Sequence, residues 1–251
     1  MDDLKILTLD IETKPALAYT WKLFDSNIGL NQVVDPGGVI CFAAKWYDRK
    51  QVMFHSEYKD GLDGMAVAAR RLMDEADLIV HYNGSSFDEK HLHALMIEQG
   101  LTPPSPHRPV DLMRIVKSRF RFLSNKLQHV SEQLNVGSKL QHSGFDLWSG
   151  WMNGDEKAVR LMERYCKQDV RLTEELFDAL REWIPATKLP TKALVEGTAG
   201  DVCPHCGHDD LYKNGFHYTP AGSAYQRWRC KECDKVCTDR SRVFATNKKG
   251  L

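Results

Sequence analysis

Hydrophobic and polar positions alternate along the chain in blocks that predict its elements in order. Residues 4–11 (LKILTLDI) are dominated by apolar side chains and read as a buried strand ending at the first acidic pair. Residues 12–37 hold Pro15, Gly29, Pro36 and Gly37 and read mostly as loop. VICFAAKWYD and QVMFHSE, joined by a polar turn around Arg49 and Lys50, predict a hairpin. Residues 62–75 carry apolar side chains at helical spacing, and DLIVHY (77–82) reads as a short buried strand. Asn83-Gly84-Ser85-Ser86 predicts a turn whose serines cap a helix from about Phe87 to Gln99, closed by Gly100. A proline-rich loop follows, and PVDLMRIV resumes order. From Asn125 the pattern is helical, first NKLQHVSEQLN and then DEKAVRLMERYCKQDVRLTEELFDALREW, the latter as two helices meeting near Glu163–Tyr165. Antiparallel strands first, then alternating helix and strand, predict an α/β fold with a mixed sheet flanked by helices.

Residues 185–201, with two prolines and little apolar content, read as a linker between a domain spanning 1–184 and a small one spanning 202–251. No apolar run approaches the roughly 20 residues of a membrane span. The start lacks the basic and apolar regions of a signal peptide, so a cytoplasmic protein with no membrane partner is expected. The formal net charge is zero, but residues 202–251 hold nine Lys and Arg against five Asp and Glu. The tail is thus +4 and residues 1–201 are −4. An acidic body with a basic tail suits a metal site paired with a nucleic-acid-contacting appendage.

Four acids carry the candidate chemistry. Asp10 and Glu12, two apart at a strand end, project to the same face. Asp88 follows the Gly-Ser-Ser turn, and Asp169 follows Tyr165 by four, so a helix sets phenol and carboxylate side by side. Carboxylates brought together repel unless cations separate them, and their hard oxygens suit Mg²⁺ or Mn²⁺.

The segments LTLDIET (7–13), HYNGSSFD (81–88) and YCKQD (165–169) resemble, in order and spacing, the motifs of the DEDD 3′–5′ exonucleases, which share a ribonuclease H-like fold. The second segment is most similar to that of proofreading domains of B-family DNA polymerases and their stand-alone relatives. The resemblance covers about residues 4–182. It implies two catalytic Mg²⁺ or Mn²⁺ ions, with Asp10 bridging both, Glu12 and Asp169 on the ion that activates water, and Asp88 on the second. Tyr165 implies the tyrosine subclass; a phenol of ordinary pKa near 10 is a poor base and is expected to orient a metal-acidified water. His129 and His142 lie too far upstream of Asp169 for the histidine subclass.

Asn83 either contacts the substrate strand or simply makes the turn, and Phe87 either stacks near a terminal base or packs in the core. Thr13 and Leu17 are expected at the terminal nucleotide, and His81 and His55 as ordinary strand residues. The implied activity is phosphodiester hydrolysis from a 3′ end, on single-stranded DNA, beside a separate polymerase or another replication or repair protein. An exoribonuclease with the same acids is one alternative. A silent adaptor acting through the tail is another.

The seven cysteines are uneven: Cys41 and Cys166 stand alone, and five crowd the tail. Cys203-Pro-His-Cys206 and Cys230-Lys-Glu-Cys233 are two CxxC pairs, which predict one tetrahedral structural Zn²⁺ site. The segment resembles the zinc ribbons of transcription factors and transposase-associated proteins, in which the position of Cys237 is an aromatic packing residue rather than a ligand. Lys213, Arg227, Arg229, Lys231 and Lys235 interleave with Tyr212, Tyr225 and Trp228, a pattern for gripping nucleic acid. Docking a protein or packing a small core are the competing uses.

Overall fold

The computed structural model describes residues 5–24, 27–47, 49–185, 202–203, 207–218 and 223–245. The expected linker lies outside these residues, save Pro185. The chain divides into one compact unit over Lys5–Trp183 and a second at its C-terminal end.

The larger unit is built on a five-stranded sheet in the order β5-β4-β1-β6-β7. β1 (Ile6–Lys14) pairs antiparallel with β4 (Gly38–Trp46), which pairs antiparallel with β5 (Met53–Ser56). On its other edge β1 runs parallel to β6 (Leu78–His81), and β6 runs parallel to β7 (Arg108–Asp111). The sheet is therefore mixed, as expected.

Period-2 alternation along β1 assigns its two faces. Leu7, Leu9 and Ile11 join a core with α1 (Glu57–Glu75) and α2 (Asp88–Glu98), contributing alongside Met65, Leu72, Leu92 and Met96. On the opposite face, Ile40, Cys41 and Ala43 of β4 pack on α5 (Phe145–Met152) and α6 (Glu156–Leu180) through Leu147, Trp151, Met162 and Cys166. Thr8, Asp10 and Glu12 belong by alternation to this second face. α3 (Leu112–Arg119) and α4 (Leu127–Gln133) complete the unit.

Four expectations need correction. β1 extends past Glu12, and the segment after it contains a small antiparallel pair, β2 (Leu17–Ala18) with β3 (Val33–Asp35). α1 begins at Glu57 under a Ser56 cap and kinks at Gly61 (φ 70°), so only its main stretch matches the expected helix. The serines do not cap α2: Phe87 is its N-cap residue, without a side-chain cap, and Ser86 Oγ instead accepts from Arg114. The long C-terminal helical pattern is one continuous helix, because its apolar stripe never breaks: Met162, Tyr165, Cys166, Asp169, Val170, Leu172, Thr173, Leu176 and Phe177 are all buried. α5, on which the sequence pattern is silent, is an eight-residue helix held by two buried anchors, Leu147 and Trp151.

The C-terminal unit is a three-stranded antiparallel sheet in the order β10-β9-β8, formed by β8 (Leu211–Tyr218), β9 (Ser223–Cys230) and β10 (Val236–Ala245). Among the described residues no helix is long and apolar enough to cross a membrane.

Candidate active site

Three elements bring the acids together. The even-numbered face of β1 supplies Asp10 and Glu12, and α6 packs against it to supply Asp169. Carboxylate oxygens of these three all lie within 4.8 Å of one another. α6 is fixed to the strand at this point by Cys166, whose thiol donates to the Asp10 carbonyl at 3.6 Å.

Asp88 stands beside this trio rather than within it. β6 pairs with β1 only from Ile6 to Thr8, so the Ile11 amide lies beyond the last β1–β6 pair. Asp88 Oδ1 takes that amide at 3.1 Å. The first residue of α2 thus completes a strand edge while its second oxygen stays available.

The electrostatics follow from this crowding. Burial, followed by the charges of Asp88, Asp169 and Glu12, raises the Asp10 pKa well above the usual carboxylate range. Burial and then Asp169 push Glu12 up to about 8. Burial lifts Asp88 to about 6, against the opposing effect of His81. Asp169 is raised by burial even though Lys139 pulls the other way. Asp10 Oδ2 and Asp169 Oδ1 are buried with no hydrogen-bond partner among the described residues. Clustered hard oxygens with orphaned lone pairs and raised proton affinity fit a divalent cation.

Tyr165 lies one turn before Asp169 on α6, as i, i+4 spacing requires. Burial and then the Asp169 charge raise its pKa above the ordinary phenol value, so the hydroxyl stays protonated at neutral pH. Of two neighbours of Tyr165, Lys139 escapes sequence reasoning, and His142 enters it only as a histidine-subclass residue that is set aside. Lys139 donates to the Tyr165 hydroxyl at 3.1 Å and to Asp169 Oδ2 at 2.5 Å. Burial works against the Lys139 charge, but Asp169 and Tyr165 more than offset it and its pKa is raised. His142 packs edge-on to the Tyr165 ring at 4.8 Å and to Trp148 at 5.3 Å. Neither residue sits in a recognisable pattern; the fold alone brings their loop back to α6.

The turn after β6 is more than a connector. Asn83 has a left-handed backbone (φ 72°), and its amide donates to Asp111 Oδ1 at 3.0 Å. His81, expected as an ordinary strand residue, is fully buried and organises this turn. Its Nδ1 accepts from the Gly84 amide at 3.0 Å, so Nε2 carries the proton and faces Glu89 Oε1 at 3.3 Å. His107 Nε2 approaches the same oxygen at 3.5 Å. Burial alone would raise Glu89, but hydrogen bonds from His107 and His81 hold it down at about 2.

A methyl group at position 84 would lie 2.3 Å from His81 Cγ. The Gly84→Ala protein should therefore be destabilised by about 1–3 kcal/mol, the usual cost of overpacking. Urea denaturation tests this; an unchanged midpoint would show that the His81 ring can move aside.

Phe87 is partly exposed at 39% and packs edge-on to His91 at 4.5 Å, so it is not a core aromatic. Thr13 is partly buried on β1, and its carbonyl accepts from Trp148 Nε1 at 3.1 Å. Leu17 is exposed. None of these three is drawn into the carboxylate cluster.

In the C-terminal unit, the sulfurs of Cys203, Cys230 and Cys233 lie within 4.8 Å of one another; Cys206 is outside the described residues. The described residues flanking the two cysteine pairs share two features. The Cys203 amide donates to the His208 carbonyl at 2.7 Å, and the Cys230 amide to the Lys235 carbonyl at 3.0 Å. Each turn has a left-handed residue four positions after its first cysteine, Gly207 (φ 78°) and Asp234 (φ 57°). Three thiols so placed fit a soft, tetrahedral metal ion. Cys237 is not part of the group. The expected mixture of basic and aromatic residues is sorted by register. Lys213 pairs with Trp228 on one face, whereas Tyr212 pairs with Arg229 on the other. Arg229 is bound to Asp234 by two bonds of 2.6 and 2.5 Å.

A search of curated proteins finds no match to this chain. Among solved structures, the crystal structure of Trypanosoma brucei RNase D is similar with a TM-score of 0.43 and 14% identity, over 70% of this chain and 57% of that one. This chain thus spans little more than half the length of that protein. The family model of the RNase H superfamily matches residues 29–181, which takes in Asp88, Tyr165 and Asp169 and begins after Asp10 and Glu12. More than half of the sequence lies in that match, and the chain belongs to the RNase H superfamily.

Proposed function

We propose that this protein is a metal-dependent 3′–5′ exonuclease of the tyrosine subclass, acting on single-stranded DNA. The observation that carries the reading is the meeting of Asp10, Glu12 and Asp169 within 4.8 Å, with Asp88 on the adjoining amide. Direction and substrate rest on the resemblance of the three motif segments to polymerase proofreading domains. A separate polymerase or repair protein is the expected partner.

Asp10, Glu12, Asp88 and Asp169 would hold two Mg²⁺ or Mn²⁺ ions. Bound there, such ions acidify a water and stabilise the departing 3′-oxygen. The chain's own groups do the rest. Tyr165, kept protonated, orients the water by hydrogen bonding rather than taking its proton. Lys139 holds Tyr165 and Asp169 in a fixed relation. Asn83, Phe87 and Thr13 would contact the substrate strand near its terminal nucleotide. The C-terminal unit would be a zinc ribbon held by Cys203, Cys206, Cys230 and Cys233, joined through the linker and assisting the grip on nucleic acid.

Timed digestion of single-stranded DNA, duplex DNA and RNA, each labelled at the 5′ end, tests the proposal. With Mn²⁺ the single-stranded DNA should shorten into a ladder, and with EDTA it should remain intact. Intact DNA alongside degraded RNA would move the assignment to an exoribonuclease. Elemental analysis of the full chain should find one equivalent of zinc, and its absence would remove the ribbon.

A further inference from the structure

Residues 112–131 contain five basic side chains, Arg114, Lys117, Arg119, Arg121 and Lys126, and no acidic one. All five are exposed. Several basic groups elsewhere in this unit are, by contrast, paired with a nearby carboxylate. Lys14 pairs with Asp35 at 2.8 Å, Lys45 with Glu174 at 2.5 Å, Arg70 with Asp74 at 3.0 Å and Arg160 with Glu156 at 3.1 Å. Lys117, Arg119, Arg121 and Lys126 have no carboxylate partner among the described residues. Like charges left unpaired along one strip repel one another and do nothing for folding; they are suited to an anion from outside.

The strip borders a cleft of about 540 Å³ lined by Asp10, Tyr82, Met113, Lys117, residues 125–128 and Lys139. Of the clustered acids, Asp10 lines this cleft, beside Lys139. Met113 and Lys117, one turn apart on α3, face it together. Its wall is fixed, because the Tyr82 hydroxyl donates to the Asn125 carbonyl at 2.7 Å and ties the α3–α4 loop to β6. Phe120, at the end of α3, is held edge-on by Trp183 at 5.1 Å. Beyond the wall, Leu123 is fully exposed.

We infer that this strip and cleft form a track for the sugar–phosphate backbone of a single nucleic-acid strand, with Lys117 and Lys126 as its phosphate contacts. The inference rests on the nuclease reading for its direction, since the track leads to Asp10. Its preference for a single strand follows from depth. Asp88 and Asp169 are only 4% and 1% exposed, so a phosphodiester must leave a helix to approach them.

The test is anisotropy titration of a labelled oligothymidylate of about 12 nucleotides in EDTA, at a series of salt concentrations. The full-length Lys117→Gln/Lys126→Gln protein should bind about tenfold more weakly. Its log K against log salt should be shallower by about 1.4, two phosphate contacts on a single strand. Lys117→Arg/Lys126→Arg should retain the wild-type slope, and Arg160→Gln, remote in sequence and already paired, should match wild type. Wild-type affinity and slope in the glutamine protein would overturn the track, as would equal weakening by Arg160→Gln. The predicted slope change in the glutamine protein, together with a wild type that hydrolyses no strand, would remove the nuclease reading and leave the track standing.

Discussion

The Asp10→Asn protein should lose about two to three orders of magnitude in Mn²⁺-dependent hydrolysis and yet melt higher than wild type in EDTA. The two effects share a cause. Asp10 lies where burial and three neighbouring carboxylates all raise the free energy of its charged form. Removing the charge relieves that cost in the metal-free protein. A gain of about 1 kcal/mol would raise Tm by about 2–4 °C for a chain of this size. The same change removes the proposed shared metal ligand, and the rate loss is of the size seen when a preorganised charge-stabilising group is deleted. Scanning calorimetry in EDTA and timed digestion in Mn²⁺ give the two readouts. Full activity in the variant would sink the site assignment. Lower stability would show that the Asp10 carboxylate is already compensated in the metal-free protein. Tyr165→Phe should slow hydrolysis less than Asp169→Ala and retain Mn²⁺ in calorimetric titration, because its role is to orient water.

The second large effect is a reversal of pH dependence by metal. Glu12 is raised from 4.5 to about 8, and Asp88 from 3.8 to about 6. A carboxyl raised on folding holds its proton more tightly in the native protein than in the unfolded chain. Between the unfolded and folded values the native state therefore binds more protons, and stability falls as pH rises. For these two groups the window runs from about pH 4 to about pH 8. Metal-free protein should accordingly melt lower at about pH 8.5 than at about pH 6. Mn²⁺ competes with those protons, so its stabilisation should grow across the same interval. Melting curves with Mn²⁺ and with EDTA at the two values measure both trends. A Mn²⁺-induced shift in Tm that is no larger at the higher pH would show that the acids are not the binding site.

Much of this molecule follows from short-range pattern alone. Period 2 in residues 4–11 specifies a strand with one apolar face, which leaves Asp10 and Glu12 together on the other. Helical spacing sets Tyr165 beside Asp169. Paired CxxC turns announce clustered sulfurs before any fold is known, because each turn is a local geometry. Mixed sheet and flanking helices follow from the order of the blocks. What lies between distant segments was not legible in this way. Lys139 has no motif and no periodic partner, and it meets Asp169 only because the loop carrying it folds back on α6. His81 looks like any strand residue until burial forces each of its nitrogens to find a partner, one in Gly84 and one in Glu89. Asp88 could be counted among the acids, but only the early end of the β1–β6 pairing gives it the Ile11 amide. The cationic strip along α3 is visible as composition, yet its meaning depends on which carboxylates lie near it, and that is decided by packing. Local chemistry is encoded by neighbours in sequence; charge compensation and burial depend on neighbours in space, which only the tertiary fold supplies.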